Sequence, residues 1–323
     1  MRASSLLILL KSVKEQSLYP NEIIVIDAST NLDTKLVLEQ NNFVNLQYFS
    51  VDAANRGLTK QRNFGISKVS SRSDIVCFLD DDTVLESNYF ENLLNTYSQF
   101  PNSLGVGGII TNEVTWQKAS SNYKNKINEF YFDGWFRNEG LRFVIRKFLR
   151  LDTNKPPGWM PSFSNGRSLS FLPPSNKVYE VEQLMGGVSS FRKEVFDKIQ
   201  FSIFFQGYGL YEDADFTLRL AKFGKLYCNT AARLAHFHDA SGRPNQFQYG
   251  KMVVRNGWYV WRVRYPKPDL KSRIKWNLIS LLLIKIRFFN VFTTSKKKEA
   301  FTETLGRLVG WFSLILQKPK IKK

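Results

Sequence analysis

The chain has very few cysteines and histidines. Its 323 residues include two cysteines, Cys77 and Cys228, and two histidines, His236 and His238. Two separated thiols exclude a disulfide framework and a zinc site built from cysteines, and they suit a reducing compartment.

Long apolar runs are also missing. The start of the chain has a continuous apolar run only over residues 6–10, which is too short for the core of a signal peptide. The longest later candidate, residues 276–292, is interrupted by Lys285 and Arg287, so no segment is predicted to span a membrane.

Acidic residues are few relative to basic ones. The chain carries 28 acidic and 46 basic residues, a net charge of +18. Residues 262–323 hold 16 of the basic and 3 of the acidic residues, whereas residues 1–261 are nearly balanced. We therefore expect a globular domain over 1–261, with an apolar content of 43% that is ample for a core, and a basic amphipathic helical tail over 262–323.

Strand and helix patterns alternate over the first 110 residues. Four β-rich apolar runs predict strands, and 3.6-residue apolar periodicity between them predicts helices. This alternation is typical of an α/β fold with a doubly wound, mostly parallel sheet. Residues 115–178 are irregular and contain five prolines, so they are interpreted as an excursion from that domain. The predicted strands are residues 22–27, 46–50, 73–79 and 104–110, and the predicted helices run to residue 16 and over residues 33–40, 59–69, 87–100 and 213–223.

Three consecutive acids follow the third predicted strand. On an extended segment Asp80 and Asp82 would project to one side and Asp81 to the other. The carboxyl end of a parallel strand is where α/β folds bind ligands, and two carboxylates there suit Mg²⁺ or Mn²⁺. The simpler interpretation is an acidic surface turn, which the preceding apolar strand disfavours.

Glu212 and Asp213 begin a predicted helix. Acids in a first helical turn complement the helix dipole, so this pattern alone does not indicate function. A carboxylate placed beside a diphosphate would, however, be suited to take a proton from an acceptor hydroxyl.

Taken in order, these segments resemble glycosyltransferases of family 2, which are inverting enzymes with the GT-A fold. The resemblance covers roughly residues 5–265 and implies a sugar transfer from a nucleotide-sugar donor to an acceptor hydroxyl. The segments that carry it are residues 22–27 (EIIVID), 55–57 (NRG), 61–65 (QRNFG), 78–82 (FLDDD), 186–192 (GGVSSFR), 211–219 (YEDADFTLR) and 231–236 (AARLAH).

The resemblance also implies roles for individual residues. Nucleotide contacts are expected from Asp27, Arg62, Asp80 and Asp81. The divalent metal, Mg²⁺ or Mn²⁺, would be held by Asp80, Asp82 and His236.

The same resemblance implies the catalytic pair. Asp213 would be the general base, and Glu212 would position the acceptor or the base.

One feature departs from the family pattern. Family members usually begin with an additional strand and a nucleotide-contacting loop, whereas this chain begins within the first helix. Either the start of the chain is misplaced or truncated, or the protein has lost part of its nucleotide pocket. Absence of the strand would expose a sheet edge and weaken nucleotide binding.

The setting follows from the same resemblance and from the basic tail. The expected donor is a nucleotide sugar, and a UDP-sugar is preferred. The expected acceptor is a saccharide or a lipid-linked glycan, in the assembly of cell-surface polysaccharide or glycolipid. Lys and Arg interleaved with aliphatic and aromatic residues over 262–323 favour an anionic membrane surface over nucleic acid. The expected location is the cytoplasm, at the inner face of the cell membrane.

Two alternatives stay open at this point. A sugar nucleotidyltransferase shares the sheet and the metal carboxylates, although no Gly-rich phosphate loop is visible. A non-enzymatic nucleic-acid-binding protein would use the basic tail.

Overall fold

The computed structural model describes residues 2–238 and 244–321, which group into two compact units. Unit 1 comprises Met1–Thr115 and Leu169–Ala240, and unit 2 comprises Trp116–Ser168 and Ser241–Lys323.

Unit 1 is an α/β unit. Its strands are β1 (Ile23–Asp27), β2 (Leu46–Ser50), β3 (Ile75–Leu79), β4 (Thr83–Leu85), β5 (Ser103–Ile110), β9 (Val178–Val181), β10 (Val188–Arg192) and β11 (Lys225–His236). Its helices are α1 (Ala3–Lys14), α2 (Asp33–Glu39), α3 (Leu58–Ile66), α4 (Tyr89–Gln99), α6 (Val195–Lys198) and α7 (Glu212–Leu220).

The strands of unit 1 form two sheets. β1 and β2 pair in parallel, and a six-stranded sheet has the order β3-β10-β5-β11-β4, with β9 also paired to β11. β5 and β11 are parallel, whereas β10 runs antiparallel to both β3 and β5, and β4 antiparallel to β11. The predicted α/β class is confirmed. The pairing within the six-stranded sheet is more mixed than expected, since most of its neighbouring strands run antiparallel.

The core of unit 1 lies between α1, α4 and the sheets. Leu6, Leu9, Leu10 and Val13 recur at helical spacing on α1 and are buried against apolar residues of the strands, such as Val106. Burial of this face positions the ends of β3 and β11, where the acidic residues and the histidines lie.

Unit 2 combines a small sheet with helices. Its elements are β6 (Gln117–Lys118), β7 (Glu129–Phe132), β8 (Trp135–Asn138), α5 (Leu141–Phe148), α8 (Gln246–Arg264), α9 (Leu270–Thr293) and α10 (Lys297–Leu316). The three strands are antiparallel in the order β6-β8-β7. The irregular excursion predicted for 115–178 therefore contains regular structure, and the predicted boundary at residue 261 falls inside α8.

Glycines bring α8 and α10 close together. A methyl group added at Gly306 would overlap the carbonyl of Phe247, and one added at Gly250 would overlap the carbonyl of Glu303. Glu303 is buried on α10 and pairs with Arg287 of α9 (2.7 Å) and Arg307 (2.6 Å). The three C-terminal helices thus share one packed core.

Two buried tryptophans connect α8 to α9. The indole rings of Trp261 and Trp276 stack with centroids 5.4 Å apart. The Trp261 N–H donates to the carbonyl of Ser162 at 2.8 Å. Both sequence segments of unit 2 therefore contribute to the same packing.

Among the described helices, α9 is the one long and apolar enough to cross a membrane by length and composition, and 17% of its apolar window is buried. Lys285 and Arg287 led to the prediction that no helix spans a membrane. A helix with these two charges nevertheless meets the criterion of length and composition.

Candidate active site

The three consecutive acids form a turn between β3 and β4. The Thr83 N–H and hydroxyl both donate to the Asp80 carbonyl, at 3.2 and 2.8 Å. Because the backbone turns here, the expected alternation does not hold for Asp81, which shares a partner with Asp82. The side chains of Asp80 and Asp82 nevertheless converge.

Asp80, Asp82 and His236 come together at one end of the six-stranded sheet. Their donor atoms all lie within 4.8 Å of one another. His236 ends β11, where it pairs with Thr83 of β4, and its Nε2 lies 3.0 Å from the Asp82 carboxylate. Two carboxylates and one imidazole are a donor set that fits Mn²⁺ or Mg²⁺ completed by phosphate and water oxygens.

The charges of Asp82 and His236 depend on each other. Burial would raise the pKa of Asp82, but its contacts with His236 and Arg2 outweigh burial and lower that pKa to about 2. Hydrogen bonds to Asp82 and Glu113 raise the pKa of His236 to about 9. Both pKa shifts therefore favour a negative Asp82 facing a positive His236.

Arg2, the residue before α1, supplies a second cation to these acids. Its guanidinium binds Asp81 and also lies 2.7 Å from Asp82. Burial raises the pKa of Asp81 despite this contact. No sequence pattern marked Arg2, because its partners lie about 80 residues away and a single Arg near a chain start is common.

Arg62 lies between Asp80 and Glu212. Its guanidinium contacts Glu212 directly, lies 3.4 Å from Asp80, and packs over the ring of Phe201 at 5.3 Å. Burial raises the pKa of Glu212 to about 8, with Asp213 adding to the effect and Arg62 opposing it. Among the described residues, Glu212 Oε2 is buried without a hydrogen-bond partner.

Asp213 lies on the first turn of α7, close to the glycine pair. Its carboxylate accepts from the Gly186 N–H at 3.2 Å and from the Ala214 N–H at 2.7 Å. Burial raises its pKa. Asp215 on the same turn pairs with Arg219 at 2.7 Å, so it has an evident structural partner. Glu212 and Asp213 instead face Arg62 and Gly186, which the helix dipole alone does not explain.

The two glycines allow this close packing. A Cβ at 186 would lie 2.7 Å from Arg62 and Glu212, and one at 187 would overlap the Asp80 carboxylate. The backbone of this segment therefore connects the metal-type donors with the acids of α7.

Asp27 ends β1 and is buried. It accepts from the Ser29 N–H at 2.7 Å and from the Tyr48 hydroxyl at 3.0 Å. Neither bond involves Arg62 or Asp80.

Glu113 and His238 were not identified from the sequence. Glu113 follows β5 and lies 3.2 Å from His236 and 2.8 Å from His238. A hydrogen bond from His236 lowers the pKa of Glu113. The His-x-His spacing was a usable signal for His238, whereas a single Glu in a loop was not.

The family described as glycosyl transferase family 2 matches residues 1–165, and the N-terminal domain of galactosyltransferase matches residues 166–240. No curated protein matches.

Two solved structures are similar at low identity. One is the crystal structure of GalNAc-T7 with UDP, GalNAc and Mn²⁺, at 17% identity and a TM-score of 0.47, covering 77% of this chain and 45% of that one. The other is S. aureus TarS, at 13% identity and a TM-score of 0.45, covering 91% of this chain and 43% of that one. The chain spans less than half the length of either structure. On the family match, which extends over just over half of its residues, the chain belongs to glycosyl transferase family 2.

Proposed function

We propose that this protein transfers a sugar from a nucleotide-sugar donor to an acceptor hydroxyl with inversion at the anomeric carbon. The observation that carries the proposal is that Gly186 and Gly187 lie between two groups of acidic side chains and pack closely against both. A metal-type donor set lies on one side of these glycines, and a buried carboxylate pair lies on the other.

The donor would be held by residues at the strand ends. Asp27 offers a buried carboxylate to ribose or base, and Arg62 offers a guanidinium close to Asp80. A UDP-sugar is the first choice of donor, as the resemblance to the family implies.

A divalent cation would be held by Asp80, Asp82 and His236. When bound, it would neutralise the negative charge that develops on the departing diphosphate.

Asp213 would act as the general base. As the acceptor oxygen bonds to the anomeric carbon, its proton passes to the Asp213 carboxylate, and the bond from that carbon to the diphosphate oxygen breaks with its electron pair. A single displacement of this kind inverts the anomeric configuration. Burial raises the pKa of Asp213, which makes its carboxylate a stronger base.

The setting we propose is the inner face of the cell membrane, where a lipid-linked glycan would be the acceptor. Exposed apolar residues recur at helical spacing along α9, and basic residues flank them. The exposed apolar residues include Ile274, Leu278, Phe289 and Phe292.

The substitution Asp213→Asn tests the chemistry. We expect donor and Mn²⁺ binding to persist while transfer falls roughly 10²- to 10⁴-fold, the contribution of a general base. Nucleoside diphosphate release is measured over a panel of donors and acceptors, with and without Mn²⁺, and the product anomer is assigned by NMR.

The matched control is Asp197→Asn, which removes an exposed carboxylate from the first turn of α6. This variant should transfer sugar like the wild type. Retention of the donor's anomeric configuration would exclude the single displacement, and release of pyrophosphate would indicate a nucleotidyltransferase instead.

A further inference from the structure

A second set of metal-binding side chains adjoins the first one. It consists of Glu113, His236 and His238, whose donor atoms also lie within 4.8 Å of one another. Glu113 Oε1 lies 3.2 Å from His236 Nδ1 and 2.8 Å from His238 Nε2. Tetrahedral ligands at about 2.0–2.1 Å from a zinc ion lie roughly 3.3–3.4 Å apart, so small rotations of these side chains suffice.

The backbone that carries this set is fixed. The Asn112 side chain accepts from the His236 N–H and donates to the His236 carbonyl, both at 2.9 Å. β5 and β11 pair in parallel up to Ile110 and Leu234, so the residues that follow leave the sheet side by side. Two histidines separated by one residue on extended backbone share a face.

The donors differ in kind from those of the first set. Two imidazole nitrogens and one carboxylate oxygen suit zinc-like transition ions, whereas Mg²⁺ prefers oxygen ligands. The side chain of His238 is 54% exposed, which gives an ion access and leaves a position for water.

We propose that Glu113, His236 and His238 bind a zinc-like divalent ion, and that this ion competes with the metal at Asp80 and Asp82 for His236. A neutral imidazole has one protonated nitrogen and one lone pair. An ion on Nδ1 leaves the proton on Nε2, which donates to Asp82 at 3.0 Å as the supporting carboxylate of a bound histidine. His236 then has no lone pair for the first set.

Only the competition rests on the proposed function; binding of the ion does not. The experiment therefore begins with Co²⁺ as a spectroscopic probe of zinc sites in full-length Asp80→Asn protein, in which the first set is incomplete. We expect one equivalent of Co²⁺ with the intense visible absorption of four-coordinate geometry, and displacement of that Co²⁺ by Zn²⁺. Adding His238→Ala or, separately, Glu113→Gln should abolish the absorption, with circular dichroism confirming that both proteins are folded.

Absence of Co²⁺ absorption in the Asp80→Asn protein, or its persistence after His238→Ala, would overturn the proposal. Competition is then measured in protein with Asp80 intact, as inhibition by Zn²⁺ of Mn²⁺ binding followed by electron paramagnetic resonance. His238→Ala should bind Mn²⁺ like the wild type and lose at least tenfold in Zn²⁺ sensitivity. Equal Zn²⁺ sensitivity of the two proteins would contradict the competition.

Discussion

Gly187 shows how tightly the site residues are packed. A methyl group at this position would overlap the Asp80 carboxylate, which would have to rotate away from Asp82 and His236. We expect Gly187→Ala to weaken Mn²⁺ and donor binding at least tenfold while the protein stays folded. Isothermal titration measures both affinities.

The matched control for this substitution is Gly140→Ala. A Cβ at 140 would meet open space, and the backbone there has an ordinary negative φ. Unchanged metal affinity in Gly187→Ala would show that the Asp80 position is not needed for metal binding.

Glu212 should make stability depend on pH. Burial keeps a proton on this carboxyl up to a pKa of about 8, whereas the unfolded chain releases it near 4.5. Between these values the folded state binds more protons, so the free energy of unfolding falls as pH rises through this window. We expect Glu212→Gln, which cannot titrate, to have a shallower decline of Tm between pH 5 and pH 8.

The exposed Glu39 gives the comparison, because Glu39→Gln should retain the slope of the wild type. Parallel Tm profiles for Glu212→Gln and the wild type would mean that Glu212 is ionised throughout this range.

The sequence predicted the site residues that follow strong local patterns. Asp80 and Asp82 follow an apolar strand, so their position indicated a metal site, whereas Glu212 and Asp213 were assigned through the resemblance to the family. Arg2 and Glu113 could not be predicted in the same way, because they reach the site only through tertiary packing.

At the scale of elements, most helices and strands of unit 1 lie within about two residues of their predicted positions. The patterns are regular there, and buried faces impose clear periodicity. β4 and β9 were missed because three or four residues carry too little pattern, and β6, β7 and β8 because they span only two to four residues each. Their pairing in the three-stranded sheet depends on partners that sequence periodicity does not specify.

The contact between α8 and α10 depends on glycine at its centre. In an isolated helix, alanine is favoured over glycine by roughly 0.8–1.0 kcal/mol. At Gly306 the added methyl group would overlap the Phe247 backbone, which cannot rotate away. We therefore expect Gly306→Ala to lower Tm by several degrees despite the better helix propensity.

Gly310→Ala provides a graded comparison on the same helix. Its Cβ would lie 3.0 Å from the Lys251 carbonyl, so a shift of a few tenths of an ångström suffices and the loss should be smaller. A higher Tm for Gly306→Ala would mean that propensity outweighs the overlap.

At the scale of the whole molecule, charge is concentrated in residues 262–323, and the proposed membrane surface depends on this placement. Each basic residue near an anionic leaflet adds about 1 kcal/mol to binding. Replacing Lys296, Lys297 and Lys298 with Gln should therefore weaken binding to anionic vesicles roughly 100-fold, as measured by co-sedimentation at low salt.

A variant with the same net charge separates placement from total charge. Lys14, Lys35 and Lys222 are exposed in unit 1, and their replacement with Gln should leave vesicle binding nearly unchanged. Equal losses in the two triple variants would show that net charge alone governs attachment.

The distribution of tryptophan has a consequence for spectroscopy. All seven tryptophans fall in unit 2, including the stacked pair Trp261 and Trp276, and unit 1 contains none. Intrinsic indole fluorescence therefore reports directly on unit 2, whereas far-ultraviolet circular dichroism sees both units. Melting curves recorded by the two methods will coincide if the units unfold together and separate if they do not. A variant that melts unit 1 alone would look intact to a fluorimeter set to excite tryptophan.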